Sequence, residues 1–101
     1  MQFLVLAYDG SDNDAKTRRQ VARPAHLEGI KPMVEDGELR AAGAILDDEG
    51  NMIGSAVFAE FPTREHLEAW LAREPYVRQK VWQTVEVKPF RLAVLDGVVT
   101  P

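Results

Sequence analysis

Apolar residues form short strand-like segments in the first half of the chain. Gln2 to Tyr8 is rich in Phe, Leu and Val, and the turn-forming run Asp9 to Asn13 follows it, which predicts a first strand and its exit loop. Glu38 to Leu46 and Met52 to Glu60 flank the acidic turn Asp47 to Asn51. This pattern is typical of a β-hairpin.

The segment between the first strand and the hairpin has helical periodicity. Leu27, Ile30 and Val34 recur at intervals of three and four residues, which predicts a helix over Asp14 to Glu35 that ends before Gly37.

Two prolines complicate this helix. A proline removes a backbone hydrogen bond inside a helix but fits its first position. One interpretation is therefore a short helix through about Val21, with a new start near Pro24. Pro32 lies too far inside the helix for that explanation, so we expect a kink in the last turns.

The last third of the chain predicts a second helix and a final strand. Thr63 is the expected N-cap of a helix that ends before Glu74. One side of this helix carries Leu67, Trp70 and Leu71. Val81 to Val94 alternates as a long strand does, and Asp96 to Pro101 is expected to be a loosely held tail.

The predicted order is β-α-β-β-α-β, the ferredoxin-like motif, an α+β fold in which two helices cover one face of a four-stranded antiparallel sheet. Apolar residues at successive positions in Phe3 to Ala7 and Ala56 to Ala59 indicate that both faces of the sheet are buried. Because the helices cover only one face, we expect a second copy to cover the other. The expected assembly is a homodimer through the sheet face, with a barrel-like interior.

Composition narrows the classes of function. With 101 residues, 46% of them hydrophobic and 28% charged, the chain is expected to form one domain over residues 1–101. The net charge of −4 argues against nucleic-acid binding, and no apolar run approaches the roughly 20 residues that cross a bilayer. The absence of cysteine and of a secretory signal at Met1 predicts a cytoplasmic protein. Without cysteine ligands or a cluster of histidines and carboxylates, no metal or organic cofactor is expected.

His26 is the main candidate for chemistry. It lies one residue before Leu27, at the margin of the predicted apolar face, and Arg19 and Arg23 precede it on or near that face. A titratable imidazole beside guanidinium groups is suited to acid–base chemistry on an anion. The alternatives are a surface histidine or a buried one that bonds a backbone carbonyl. His66, in the first turn of the second helix, is expected to be a surface residue.

Glu74, in the sequence Glu74-Pro75-Tyr76, is the second candidate. The proline fixes the position of Glu74 at a helix end. An unpaired glutamate at a helix end is the alternative.

Several short motifs, in this order and spacing, resemble the YciI-like (YCII-related) family from Gln2 to about Val94. They are Arg19 with Arg23-Pro24-Ala25-His26-Leu27, Gly37-Glu38-Leu39 with Ala41-Ala42-Gly43, Gly54-Ser55 with Ala59-Glu60-Phe61, Glu74-Pro75-Tyr76-Val77, and Val87-Lys88-Pro89-Phe90.

The resemblance implies a ferredoxin-like fold, a dimer of the dimeric α+β barrel type, and a pocket centred on a histidine and an acidic residue. His26 matches the family histidine, and Glu74 stands where the family usually has Asp. Whether Glu74 or Asp9 pairs with His26 is open at this stage. The candidate substrate-binding residues are Asp9, Arg19, Arg23, Ser55 and Tyr76.

The resemblance also implies two enzyme activities. One branch of the family looks like dehydrochlorinases of chlorinated hydroxyquinones, and the related barrel fold includes muconolactone isomerases. The first hypothesis is a cofactor-free enzyme of proton abstraction, elimination or isomerisation on a small anion, with His26 as base, Glu74 as its partner and Arg19 as the anion ligand. The second is a non-catalytic module that binds a small molecule in the same pocket. A purely structural dimer is a third hypothesis.

Overall fold

The structure, a computed structural model, describes residues 1–100. The strands of its central sheet are β1 (Gln2–Asp9), β2 (Leu39–Leu46), β3 (Met52–Glu60) and β4 (Trp82–Phe90), and the helices are α1 (Ala15–Glu35), α2 (Arg64–Arg73) and α3 (Pro75–Arg78). The sheet is antiparallel in the order β2-β3-β1-β4, which confirms the predicted ferredoxin-like α+β fold. None of the helices in this range is long and apolar enough to cross a membrane.

The two faces of the sheet differ in burial. Along β1, Phe3 and Val5 are buried beneath the helices, whereas Leu4 and Leu6 on the opposite face are half-buried. Phe90, on the same side as Leu4, is 38% exposed. Within one chain, the expected burial of both faces therefore holds for the helix side only, because the helices pack on that side.

Helix α1 continues through Pro24 and Pro32, so the predicted break near Pro24 is wrong. Gln20, Pro24, Glu28 and Pro32 are all exposed, and their spacing of four residues places them on one face of the helix. Each proline frees the carbonyl group four residues before it. These carbonyls belong to Gln20 and Glu28 on the exposed side of the helix, where solvent can reach them.

The buried side of α1 also differs from the predicted one. Leu27 and Val34 are 41% and 56% exposed, whereas Arg19 and Met33 are buried and the His26 side chain is only 13% exposed. Two polar residues thus occupy inward positions of the helix. The spacing centred the predicted face on Leu27, Ile30 and Val34 and put His26 only at its margin, because apolar residues alone do not show which polar side chains are buried.

The junction of α2 and α3 follows the predicted signals. The Thr63 hydroxyl accepts a hydrogen bond from the backbone N–H of His66 at 3.2 Å, which confirms the N-cap. Glu74 lies between the two helices with extended backbone (φ −64°, ψ 125°), and Pro75 begins α3. The Glu74 side chain accepts from the backbone N–H of Tyr76 and so caps α3.

The end of the chain is more ordered than expected. Strand β4 ends at Phe90, not Val94, and a small hairpin follows, formed by β5 (Val94–Leu95) and β6 (Val98–Val99). Asp96 and Gly97 have positive φ of 51° and 75°, as the two central residues of a type I′ turn require. The tail is therefore a hairpin rather than a loose segment, and Pro101 lies outside the described residues.

Candidate active site

His26 and Glu74 form a buried pair between α1 and the α2–α3 junction. His26 Nδ1 lies 2.5 Å from Glu74 Oε1, and the two side chains are 13% and 2% exposed. The backbone conformation at Glu74, between two helices, directs its carboxylate into the protein. Of the two acidic residues considered as partners of His26, Glu74 makes the contact and Asp9 pairs with Arg19.

The other partners of Glu74 indicate which nitrogen of His26 carries the proton. Trp70 Nε1 donates to Oε2 and the backbone N–H of Tyr76 donates to Oε1, each at 3.2 Å. Both groups can only donate, so each carboxylate oxygen accepts a hydrogen bond. The tautomer in which His26 Nδ1–H donates to Oε1 fits this acceptor role, and in that tautomer the lone pair lies on Nε2.

The Nε2 atom of His26 is the free end of this pair. It has no hydrogen-bond partner within residues 1–100, and it retains some accessible surface. The Tyr76 ring stacks on the imidazole, with centroids 4.0 Å apart and 11° between the planes. Trp82 meets it edge-on at 6.2 Å. The site therefore holds a fixed imidazole with one available nitrogen.

A second buried network lies beside it. Arg19 Nη1 contacts both oxygens of Asp9 at 3.0 Å, and Arg19 Nη2 donates to Ser55 Oγ at 3.0 Å. Trp82 Nε1 donates to the same Oγ at 3.1 Å. With two donors on its oxygen, Ser55 retains its own O–H for a further acceptor. A Cβ at Gly54 would collide with a backbone carbonyl of β1, so glycine lets β3 carry Ser55 close to β1.

These groups surround an inner cavity of about 190 Å³ between α1 and strands β2 and β3. Its lining includes Arg19, Arg23, His26, Leu27, Ile30, Met52, Ser55 and Tyr76. Two buried polar atoms of its lining residues, Arg19 Nε and the Tyr76 hydroxyl, have no partner in the described part of the chain. Buried polar groups in folded proteins are usually paired, so these two atoms are exceptions among the residues that line the cavity.

Arg23 is the cation of the inner cavity that no carboxylate holds. Its Nη1 contacts the sulfur of Met52 at 3.5 Å, and it forms no ion pair with the residues from 1 to 100. The Arg19 guanidinium, by contrast, is committed to Asp9 and Ser55. Arg23 therefore has the guanidinium available to an incoming anion, a role that the sequence hypothesis gave to Arg19.

The structure brings the predicted site residues together in two layers. Arg19, Arg23, His26, Ser55 and Tyr76 line the inner cavity, and Glu74 and Asp9 lie behind it, bonded to His26 and Arg19. Trp70 and Trp82 were not predicted as site residues, although their indole N–H groups donate to Glu74 and Ser55. The available signal was that a buried tryptophan needs an acceptor for its N–H.

Other candidate centres lack these features. No three His, Cys, Asp or Glu side chains in the described structure are grouped to hold a metal ion. His66 is exposed and bonds Thr63, as predicted. A wider hollow of about 580 Å³ lies beside Arg18, but that guanidinium is paired with Asp12.

The fold and this geometry define a class: a ferredoxin-like α+β protein with a histidine–carboxylate pair at a small cavity. The family model for the YCII-related domain matches residues 1–91, and the chain belongs to this family. It is 35% identical to protein YciI of Escherichia coli and 32% identical to an uncharacterised protein of Haemophilus influenzae, each over 90% of this chain and 97% of the relative.

Two solved structures share the fold. One is 5-chloro-2-hydroxyhydroquinone dehydrochlorinase (TftG) from Burkholderia phenoliruptrix AC1100 in complex with 2,5-dihydroxybenzoquinone, with a TM-score of 0.78 and 20% identity over 90% of this chain and 94% of that one. The other is a dimeric ferredoxin-like protein of unknown function from Jannaschia sp. CCS1, with a TM-score of 0.53 and 15% identity over 90% and 98%.

Proposed function

We propose that this protein is a cofactor-independent enzyme that removes a proton from a carbon atom next to a carbonyl group in a small organic anion. The observation that carries this proposal is the His26–Glu74 pair, whose Nδ1 is bonded to a buried carboxylate while Nε2 is left available at a cavity. Glu74 balances the positive charge that the imidazole gains with the proton.

The reaction needs only proton transfer and electron movement within the substrate. Nε2 takes the proton, and the electron pair of the broken C–H bond delocalises into the carbonyl as an enolate. In an elimination, this pair forms a C=C bond and a leaving group such as chloride departs with the electrons of its own bond. In an isomerisation, the imidazolium returns the proton to another carbon of the delocalised anion.

Three further residues have proposed roles. Arg23 binds the anionic group of the substrate, because its guanidinium is free of carboxylate partners. Ser55 donates its remaining O–H to the enolate oxygen, and the two hydrogen bonds that its Oγ accepts strengthen that donation. Arg19 and Asp9 position Ser55 rather than contact the substrate.

The structural likeness to a dehydrochlorinase favours chlorinated hydroxyquinones as the first substrates to test. Lactones that isomerise through an enolate are the second group. A panel of both should be incubated with the parent protein, with chloride release and deuterium incorporation from heavy water as readouts. Turnover should survive dialysis against a chelator.

His26→Gln is the decisive variant and His66→Gln is its matched control, since His66 is exposed on α2. We expect His26→Gln to lower turnover by roughly 10²–10⁴-fold, the usual contribution of a general base, and His66→Gln to leave it unchanged. Full turnover in His26→Gln would remove the histidine from the mechanism.

A non-catalytic binding module is the second candidate function. It is favoured by the Arg23 guanidinium without a carboxylate partner and by the remaining O–H of Ser55, which can bind an anion without any reaction. Calorimetric binding of panel members, with neither chloride release nor deuterium incorporation, would support this alternative against the enzyme.

We also propose a homodimer through the open face of the sheet, where Leu4, Leu6 and Phe90 are incompletely covered. A solved structure of the same fold is dimeric. Light scattering should give about twice 11.3 kDa, and Leu6→Glu should give the monomer because it places a charge in the apolar interface. A monomeric parent protein would contradict the dimer.

A further inference from the structure

A second cavity adjoins the inner cavity along the first turns of α1. This outer cavity, of about 240 Å³, is lined by Lys16, Gln20, Arg23, Asn51 and Met52, together with Arg19 and Gly50. Arg19, Arg23 and Met52 line both cavities. The contact of Arg23 with Met52 therefore lies where the two cavities meet.

The outer cavity contains positive charge that the described protein does not neutralise. Neither Lys16 nor Arg23 forms an ion pair within residues 1–100. Asp47, in the neighbouring turn, is satisfied within that turn: it accepts from the backbone N–H of Asn51 and from its side-chain amide, at 2.9 and 3.2 Å. The backbone hydrogen bond from Asn51 holds the pKa of Asp47 below its usual value.

The start of α1 places cations where a helix usually disfavours them. Its first turn has no acidic residue, although the positive end of the helix dipole favours anions there. Arg18 and Arg19 are compensated by ion pairs with Asp12 and Asp9. Lys16 has no such compensation, and an anion in the outer cavity would provide it.

Arg19 gives an independent indication of a ligand. It is 5% exposed and lines both cavities, and its Nε has no partner in residues 1–100. A buried N–H without an acceptor destabilises the fold. Arg19 therefore has unused hydrogen-bonding capacity where the two cavities meet.

We infer that the outer cavity binds a second anionic group of the substrate, so that the substrate is an organic dianion. One anionic group binds Arg23 in the inner cavity, and the other lies beside Lys16 and Gln20. The apolar end of the inner cavity, at Leu27 and Ile30, takes the uncharged part. This inference rests on the proposed function only in treating the inner cavity as the substrate site.

Adipate and its monomethyl ester test the inference, because they share the same six-carbon chain and differ by one methyl group and one negative charge. Isothermal titration calorimetry on the parent protein should show adipate binding roughly fivefold more tightly, the effect expected of one partly screened ion pair. Equal affinity for the two compounds, or binding of neither, would overturn the inference.

Lys16→Gln then locates the second charge, and Lys31→Gln is the control on the same helix. Lys31 pairs with the exposed Glu28 and lines neither cavity. Lys16→Gln should abolish the preference for adipate while the ester binds as before, and Lys31→Gln should change neither affinity. An adipate preference that survives Lys16→Gln would also overturn the inference.

The outcome is separable from that of the proposed enzyme. Binding of the second anion does not use the Nε2 lone pair of His26, so His26→Gln should retain the preference for adipate. A protein that prefers adipate through Lys16 but turns over no substrate would support the outer cavity and contradict the enzyme. Turnover without an adipate preference would support the enzyme and contradict the anion site in the outer cavity.

Discussion

The two buried acid–base pairs, Asp9–Arg19 and Glu74–His26, have similar burial but leave different groups free. The Arg19 guanidinium binds both oxygens of Asp9 and also Ser55, and it keeps its charge at any pH a protein tolerates. The imidazole of His26 uses one nitrogen for Glu74 and leaves the other available. The first pair is suited to hold structure, and the second is suited to exchange a proton.

The position of each carboxylate explains the difference. Asp9 ends a central strand, where the sheet holds it rigidly against Arg19. Glu74 caps α3 and also bonds Trp70, so the carboxylate that orients His26 is itself fixed by two N–H donors. A base whose partner is held in this way keeps its Nδ1–H tautomer through a reaction cycle.

Breaking the Asp9–Arg19 pair should have the largest effect on stability. Arg19→Met leaves the Asp9 carboxylate buried without its counter-charge, and we expect a loss of about 3–5 kcal/mol in the free energy of unfolding, measured by urea denaturation. The double variant Arg19→Met with Asp9→Asn should recover part of this loss because no unpaired charge remains. A loss below about 1 kcal/mol in the single variant, the range of exposed pairs, would contradict the structural role.

Changing Glu74 should lower catalysis through the loss of its charge. Glu74→Gln keeps the size of the side chain but removes the charge that stabilises the imidazolium and replaces one acceptor oxygen by an NH₂ group, which only donates. On a substrate found in the panel, we expect kcat to fall by roughly 10²-fold with little change in KM. Nitrogen NMR of the His26 ring should show the Nδ1–H tautomer in the parent protein and a mixture in the variant.

Glu74→Asp serves as the conservative control for that prediction. It retains the charge but shortens the side chain by one methylene, so it should restore kcat above the Gln variant. If the Asp variant is as slow as the Gln variant and both keep the parent tautomer, Glu74 does not position His26.

The order of the elements could be predicted from the sequence because each depends on local chemistry. Strand β3 (Met52–Glu60) and the N-cap Thr63 match the prediction. The short hairpin at the end was missed although Asp96-Gly97, a typical type I′ pair, stands between two pairs of apolar residues.

The buried face of α1 could not be predicted in the same way. Arg19 and His26 occupy inward positions because partners from distant parts of the chain satisfy them: Asp9 and Ser55 for Arg19, and Glu74 for His26. The periodicity of apolar residues does not show which polar residues beside them are buried, so it locates the core face poorly where a helix carries buried polar groups. The choice between Glu74 and Asp9 likewise required the tertiary arrangement.

Removing the Tyr76 hydroxyl should have a small effect on the free energy of unfolding. Comparing it with removal of the ring distinguishes the contribution of the ring from that of the oxygen. The ring stacks on His26 and is fully buried, whereas the hydroxyl has no partner in residues 1–100. Tyr76→Phe should therefore change the free energy of unfolding by less than about 0.5 kcal/mol, or raise it. Tyr76→Leu should cost about 2–3 kcal/mol, because it removes ring packing. A loss of about 2 kcal/mol in Tyr76→Phe would show that the hydroxyl has a bonded partner such as an ordered water.

The exposed pair Asp12–Arg18 gives the smallest expected effect and a contrast with the buried Asp9–Arg19 pair. The hydrogen bond from Arg18 lowers the pKa of Asp12 from 3.8 to about 2. Because the folded-state pKa is the lower one, the ionised carboxylate stabilises the fold above pH 4, and this contribution is lost as the pH falls from 4 to 2. Asp12→Asn lacks it at every pH. Urea denaturation of both proteins should therefore show a small stability gap at pH 6 that shrinks steadily between pH 4 and pH 2 and narrows in 1 M NaCl, since salt screens exposed charges. A gap as large at pH 2 as at pH 6 would mean that Asp12 contributes through packing or neutral hydrogen bonds instead of its charge.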